Sequence, residues 1–370
     1  MVTTSPDIND SDQQAEPDIR LTSEQARQLM VDLFSKLGVP PQETDMVVAA
    51  LMEASLAGYN SHGLRRVPMY AHGIQTGAMR PGVELQSLRE TPASLYLDAG
   101  YGLGPVAATQ AVRLAAEKAT QSGIGCVSLA RANDVARLGS YLIEPAQAGL
   151  IALMLVNDAG SGPCVAPWGG VQPFLSTNPI AAGIPWQADM PILIDISTSV
   201  VSLGKLKTLA AQGQSAPPGW LIDQAGELTP DVTAFFADPP GSALLPLGGM
   251  VAGYKGFALS LLVDVLAGAL SGAGPSTGRE DGLDRNGVFV IVIDPDMFVS
   301  RQQFNHSVAQ LVAGLKNSTK IPGQTEILMP GERAYRERQH RLQHGIPLEA
   351  PDWRDIKAVL EAVGVEIPDA

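Results

Sequence analysis

Gly100-Tyr101-Gly102-Leu103-Gly104-Pro105 stands between a short apolar run at 93–97 and a helical pattern at 105–121. A Gly-rich turn between a strand and a helix is where a dinucleotide fold shows itself, because glycines let the backbone approach a pyrophosphate held at the helix N-terminus. Here the pattern breaks. Pro105 takes the place of the third glycine of GxGxxG, and no acidic residue ends a strand about twenty residues later. Proline in the first helical position suits a plain helix start. The stretch reads as a tight turn, and the chain as α/β without a conventional Rossmann site.

Working outward, short apolar runs bounded by Gly, Pro and Asn recur at 126–129, 150–156, 192–196 and 287–293, and read as buried strands of one α/β lobe. Before them, Thr22 and Gln25 form a capping box for a first amphipathic helix carrying Ala26, Leu29, Met30, Leu33, Phe34 and Leu37. A second, mostly buried helix at 46–57 is stopped by Gly58, and the Pro/Gly-punctuated segment 77–92 leads into the central lobe. Three helical patterns, at 307–315, 332–344 and 353–363, close the chain. The expected organisation is an acidic, disordered tail at 1–20, then a single unit at 21–366. Within that unit, a helical lobe (21–92 with 300–366) flanks a central α/β lobe (93–299).

Composition excludes several functions. With 370 residues, 45% hydrophobic and 17% charged, the chain can bury a large core. A net charge of −13 with no basic cluster argues against nucleic acid and against an anionic membrane surface. Residues 256–274 are the most apolar, but Asp264 interrupts them, so they read as a buried core helix rather than a membrane span. The first twenty residues lack the apolar run of a signal peptide. Cys126 and Cys164 have neither CxxC spacing nor neighbouring histidines, which fits a reduced, cytoplasmic setting without a disulfide framework or zinc. His340 and His344, one turn apart on an Arg-rich helix face, read as solvated surface, so no metal site is expected.

The chemistry gathers elsewhere. Tyr59-Asn60-Ser61-His62-Gly63-Leu64-Arg65-Arg66 places an imidazole and a guanidinium four residues apart on a loop anchored by a buried helix. Histidine can give or take a proton near neutrality, and arginine offers a fork of donors matching a carboxylate. Ile192-Leu193-Ile194-Asp195-Ile196-Ser197-Thr198-Ser199 puts an acid and hydroxyls where a strand runs out. That suits either a partner for a histidine or the capping of the next segment. Lys255, in Tyr254-Lys255-Gly256 after Pro246-Leu247-Gly248-Gly249, reads as a phosphate-holding cation at the start of the most apolar helix. No HExxH is present.

In order, Ser61-His62-Gly63-x-x-Arg66, Pro167-Trp168-Gly169-Gly170, Thr177-Asn178-Pro179, Asp195-Ile196-Ser197-Thr198-Ser199, Pro246-Leu247-Gly248-Gly249, Tyr254-Lys255-Gly256 and Pro330-Gly331-Glu332 resemble the type 2 malate/L-lactate dehydrogenase family over 21–366. The resemblance implies a non-Rossmann NAD(P)-binding fold, a homodimer, and an oxidoreductase using NAD(H) or NADP(H). It implies that His62 donates the proton, Arg66 clamps the carboxylate and Asp195 sets the state of the imidazole. It also implies cofactor contacts from Pro191, Ile192, Leu193, Ile194, Asp195, Ile196 and Ser197, with Tyr254, Lys255, Pro330, Gly331 and Glu332. Ser61, Arg66, Asp134, Thr177 and Asn178 would surround the substrate, a small carboxylate.

The chain departs from that pattern at two places: Asn133-Asp134 stands where many members have Asn-His, and Ser176 replaces the glycine before Thr-Asn-Pro. An anion at 134 is expected to disfavour substrates with a second carboxylate. The reading that results is hydride transfer between nicotinamide and C2 of a 2-oxo or 2-hydroxy acid, or of a cyclic 2-imino acid. The competing class is a non-catalytic relative that keeps the fold for binding.

Overall fold

A computed structural model describes residues 19–160, 162–277 and 285–367. The acidic stretch 1–18 lies outside them. Ile19 and Arg20, expected in the tail, instead enter strand β1 (Ile19–Leu21). Helix α1 (Ser23–Lys36) begins with the expected reciprocal cap: Thr22 Oγ1 accepts from Gln25 N–H at 3.1 Å while Thr22 N–H donates to Gln25 Oε1 at 2.9 Å. Such a cap contributes about 1 kcal/mol. Helix α2 (Pro41–Leu56) starts on proline and stops before Gly58 at φ +85°. Helix α3 (Val67–Thr76) follows the His62 loop. Leu29, Met30, Leu33 and Phe34 of α1, Val47, Val48 and Leu51 of α2, and Tyr70 of α3 close a first core.

Strands β2 (Gln86–Glu90) and β3 (Ser94–Asp98) open the central sheet. Residues 86–90, expected with the helical lobe, therefore pair into the sheet edge. Helix α4 (Gly104–Ser122) lays a stripe of Ala107, Ala108, Ala111, Ala115 and Ala119 on the sheet. Its approach is close enough that a Cβ on Gly125 would lie 1.8 Å from the Ala115 carbonyl. Next come β4 (Ile124–Ala132), α5 (Gly139–Gln147), β5 (Ile151–Asp158), β6 (Ile180–Ile184) and β7 (Ile192–Ile196).

A small subdomain follows, which the sequence did not announce. It comprises α6 (Leu203–Ala211), β8 (Leu221–Asp223), β9 (Leu228–Thr229), α7 (Val232–Phe235) and β10 (Ser242–Leu244), packed on Cys164, Val165, Leu206, Leu221 and Phe235. Its strands are too short for a two-residue period to register.

Helix α8 (Gly249–Val263) runs into a π-helical turn at Asp264–Ala269. Strand β11 (Asn286–Ile293) then completes the large sheet, in the order β2-β3-β4-β11-β5-β6-β7. Only the β3–β4 pair is parallel, so the α/β lobe is a mixed, largely antiparallel sheet. Helix α9 (Arg301–Asn317) contributes Val308 and Val312 to a cluster with Ile184 and Ile192 at the β6–β7 edge, rather than to the helical lobe. Helix α10 (Glu332–His344) contacts α2. Strand β12 (Ile346–Leu348) pairs with β1, and α11 (Ala350–Ala362) seals the first core with Ile356 and Leu360.

The apolar stretch 256–274 is not the buried core helix its composition suggested. Gly249–Ala269 is long and apolar enough to cross a membrane by length and composition, and only a third of its most apolar window is buried. Val251, Tyr254, Leu261, Leu262 and Val265 are exposed at helical spacing and form one open stripe.

Candidate active site

Two short 3₁₀ turns, Asn60–His62 and Leu64–Arg66, meet at Gly63 between α2 and α3. The glycine is required by proximity. A Cβ there would sit 2.0 Å from Ser55 Oγ, the atom that accepts the Leu64 N–H at 2.8 Å. From the far end of the chain, Arg341 of α10 donates through Nη1 to both Ser55 O and Asn60 Oδ1, each at 2.7 Å. Although α10 looked like an Arg-rich solvated helix, Arg341 is buried and pins the His62 loop.

His62 Nδ1 lies 3.0 Å from Ser61 Oγ, so Nε2 is the ring nitrogen left for chemistry. Helix α6 approaches this loop at Gly204, where a Cβ would come within 2.7 Å of Ser61. Arg66 is held on two sides. Its Nε donates to Ser61 O at 2.8 Å and its Nη1 to Asp134 Oδ2 at 2.9 Å. Among the described residues Nη2 makes no hydrogen bond, which leaves one edge of the fork open.

Asp134 is correspondingly occupied. Its Oδ1 accepts from Tyr70 Oη and from Ala136 N–H, both at 3.1 Å, and its carbonyl accepts Tyr70 Oη at 2.7 Å. The Gly-rich turn turns out to serve this loop: a Cβ on Gly104 would lie 1.9 Å from Asp134 O. Asn133 Nδ2 donates to Tyr101 O at 2.8 Å across the same contact.

These elements enclose a cavity of about 390 Å³, whose wall also includes Arg65, Asp158, Ser176, Thr177 and Lys207. Burial, reinforced by the Arg66 and Arg137 cations and opposed by Asp134, pushes the His62 imidazole down to about 4. The ring is therefore neutral at pH 7. Burial likewise raises Tyr70 and pushes the Cys164 thiol up to about 12, so that sulfur is no nucleophile.

Asp195 does not meet the imidazole as expected. Its Oδ2 accepts Gly139 N–H at 2.9 Å and lies 3.4 Å from Arg137 Nε, and burial raises its pKa against those contacts. Arg137 in turn stacks 4.1 Å from the centroid of Tyr59, so Asp195 reaches the His62 loop through a buried arginine. Asn178 is also turned away from the cavity. It is fully buried at φ +36°, donating to Ser260 and accepting from Ser276, while its neighbour Thr177 lines the wall.

Several of the expected cofactor residues come together. Leu193 N–H donates to Pro330 O at 3.0 Å, and a Cβ on Gly331 would lie 3.0 Å from Leu193. Pro191, Leu193 and Gly331 border a second cavity of about 520 Å³ that Arg137 also lines, next in sequence to Leu138 of the first. The Glu332 carboxylate is spent internally, on Lys316 and on Met329 N–H.

Segment 195–199 touches two other motifs. Thr198 N–H donates to Thr177 O and Leu247 N–H to Thr198 O, each at 2.9 Å. Tyr254 and Lys255 stand apart, on the exposed stripe of α8 with Trp168 edge-on to Tyr254 at 6.1 Å. Lys255 is not at the helix start, since α8 begins at Gly249. However, non-helical Ala252 breaks α8, and Lys255 falls in the first turn after the break.

A family model described as malate/L-lactate dehydrogenase matches residues 21–357. The chain belongs to the malate/L-lactate dehydrogenase family. It is 35% identical to the malate dehydrogenase of Pyrococcus horikoshii over 94% of this chain and 96% of that one. A putative malate/lactate dehydrogenase structure from E. coli superposes with a TM-score of 0.86 at 30% identity, covering 94% and 96% of the two chains. The delta1-piperideine-2-carboxylate reductase of Pseudomonas syringae pvar. tomato gives 0.77 at 29%, covering 92% and 99%. The protein is accordingly a dehydrogenase with this family's α/β fold, and dehydrogenases of the family use NAD(P). Missed in the sequence were Tyr70, Arg137, Arg341 and Lys207. Ser202-Leu203-Gly204-Lys205-Leu206-Lys207, a hydroxyl cap followed by Gly and two Lys, could have flagged the last.

Proposed function

We propose that this dehydrogenase interconverts a 2-oxo acid and its 2-hydroxy acid, or a cyclic 2-imino acid and its amine, with His62 moving the proton at the C2 heteroatom. The observation that supports it most is that a neutral His62, bonded at Nδ1, and an Arg66 whose Nη2 makes no hydrogen bond among the described residues line one cavity. NAD(H) or NADP(H), when bound, supplies the hydride exchanged at C2. Pro191 to Ser197 with Pro330 and Gly331 would hold it, and the Asp195–Arg137 pair would keep that wall rigid.

In the oxidative direction, neutral His62 accepts the hydroxyl proton through Nε2 as the C–O bond becomes a carbonyl. In reduction the same nitrogen returns it. Arg66 Nη2 grips the substrate carboxylate, and that anion partly offsets the cationic neighbours that depress the imidazole. Ser61 sets the ring's orientation. Thr177 borders the substrate, whereas Asn178 fixes the turn that carries it.

The exposed stripe of Val251, Tyr254, Leu261, Leu262 and Val265 supports a homodimer, because monomers seldom leave such a face to water. It would place Tyr254 and Lys255 at the subunit contact. The two free cysteines, with Cys164 held protonated, suit a reducing cytoplasm. Replacing His62 with Ala tests the reading. Turnover should fall by roughly 10²–10⁴ with NAD(P)H binding retained, and equal turnover would remove His62 from the chemistry.

A further inference from the structure

The Arg66 guanidinium meets its substrate with most of its donors already spent. Nε donates to Ser61 O at 2.8 Å, while Nη1 donates to Asp134 Oδ2 at 2.9 Å and to Met69 Sδ at 3.5 Å. A carboxylate ordinarily takes two parallel N–H bonds from one edge of this fork. Both edges, Nε with Nη2 and Nη1 with Nη2, have one arm occupied. Among the described residues, Nη2 alone makes no hydrogen bond.

Asp134 is not free to swing off the clamp. Its Oδ1 accepts from Tyr70 Oη and from Ala136 N–H, both at 3.1 Å, and Tyr70 is fully buried. The loop that carries it is strained on both sides, with Arg131 at φ +53° and Ala136 at φ +57°, and Asn133 Nδ2 ties it to Tyr101 O at 2.8 Å. Non-glycine residues persist in the left-handed region only where their surroundings over-determine them. The Arg66 and Asp134 side chains are 28% and 26% exposed, so an incoming acid meets an ion pair rather than a bare cation. The charge expected to act on a distal carboxylate is spent on the clamp itself.

We propose that Asp134 sets substrate affinity: as a built-in carboxylate on Arg66, it confines the substrate's own carboxylate to Nη2 and keeps the acid weakly bound. The inference rests on the reading that Arg66 grips that carboxylate. Two effects act together, since the second N–H bond of a fork grip is missing and the resident anion repels the acid bound to the neighbouring arm. Both weaken substrate and product acids alike, which speeds release.

Asp134→Asn isolates these effects. With its Oδ1 kept toward the two donors, Tyr70 Oη and Ala136 N–H, the amide nitrogen replaces Oδ2 and faces Nη1 donor to donor, so Nη1 is released to the substrate. The probes are oxamate, a dead-end carboxylate, and oxamide, its neutral counterpart, titrated calorimetrically at saturating NADH and again at saturating NADPH. Wild type is compared with Asp134→Asn, Asp134→Ser and Arg66→Met. Asp134→Asn should tighten oxamate on the order of tenfold and leave oxamide within about twofold. Asp134→Ser, which removes the charge and withdraws from Nη1, should act in the same direction, and it decides the matter if the Asn variant does not fold. Equal changes for both probes would mark a merely structural role and overturn the inference. Oxamate bound no more tightly by the folded variants than by wild type, or bound by none of them, overturns it as well. Arg66→Met separates the two readings: if it loses oxamate while Asp134→Asn gains nothing, the clamp stands and the inference fails, whereas unaltered oxamate binding in Arg66→Met removes the clamp and the inference with it.

Discussion

Acidification should expose the cost of burying His62 without its proton. The ordinary imidazole value is 6.5, and in the folded protein burial and two arginines hold it at about 4. Between those values the unfolded chain binds a proton that the folded chain refuses, so stability must fall as pH falls. At pH 5 the difference amounts to about 2 kcal/mol relative to pH 7, with about 1 kcal/mol more lost as pH approaches 4. For a chain of this size about 2 kcal/mol corresponds to a Tm change of roughly 2–3 °C. The comparison is wild type against His62→Asn, which keeps a polar group beside Ser61 but cannot titrate. Urea or thermal unfolding at fixed protein concentration, at pH 7, 6 and 5, gives the two slopes, and the carboxylates common to both proteins cancel. Wild type should lose the extra stability and the variant should not. Parallel curves would refute the depressed imidazole.

The same displacement governs rate. Oxidative kcat/KM should stay level from about pH 5 upward and fall below about 4 as His62 is protonated, whereas reductive kcat/KM should fall about tenfold per unit above 5. An inflection near 6.5 in both directions would show an unperturbed histidine. Gly63→Ala forces a Cβ to within 2.0 Å of Ser55 Oγ and 2.9 Å of Ser55 N, so the backbone must move. Chemical denaturation should show a loss of about 2–3 kcal/mol, and a neutral result would mean the loop is slack. Arg341→Met leaves the Ser55 carbonyl and Asn60 Oδ1 without their donor. It should cost about 2–4 kcal/mol and reduce kcat more than it changes cofactor affinity. Normal kcat in the folded variant would assign the loop's position to other contacts.

What the sequence determined by itself was local or cumulative. The Thr22–Gln25 cap, the Gly58 stop, the bounds of α10 and the five strand runs of the large sheet were legible because the interactions that form them lie within a few residues. Seven ordered motifs carried the family, and the failed GxGxxG signalled a fold other than Rossmann. Only the tertiary structure decided how the site is wired. Arg341 reaches the His62 loop across 286 residues, Asp195 meets Gly139 across 56, and Arg66 finds Asp134 across 68. Hydropathy misplaced the stripe of α8 in the interior, since an apolar helix face reads the same whether its cover is the chain's own core or another surface. Likewise Asp134 read as a free anion until its partners were seen. A side chain's charge is written in the sequence, but whether that charge is matched depends on residues that folding alone brings within about 3 Å.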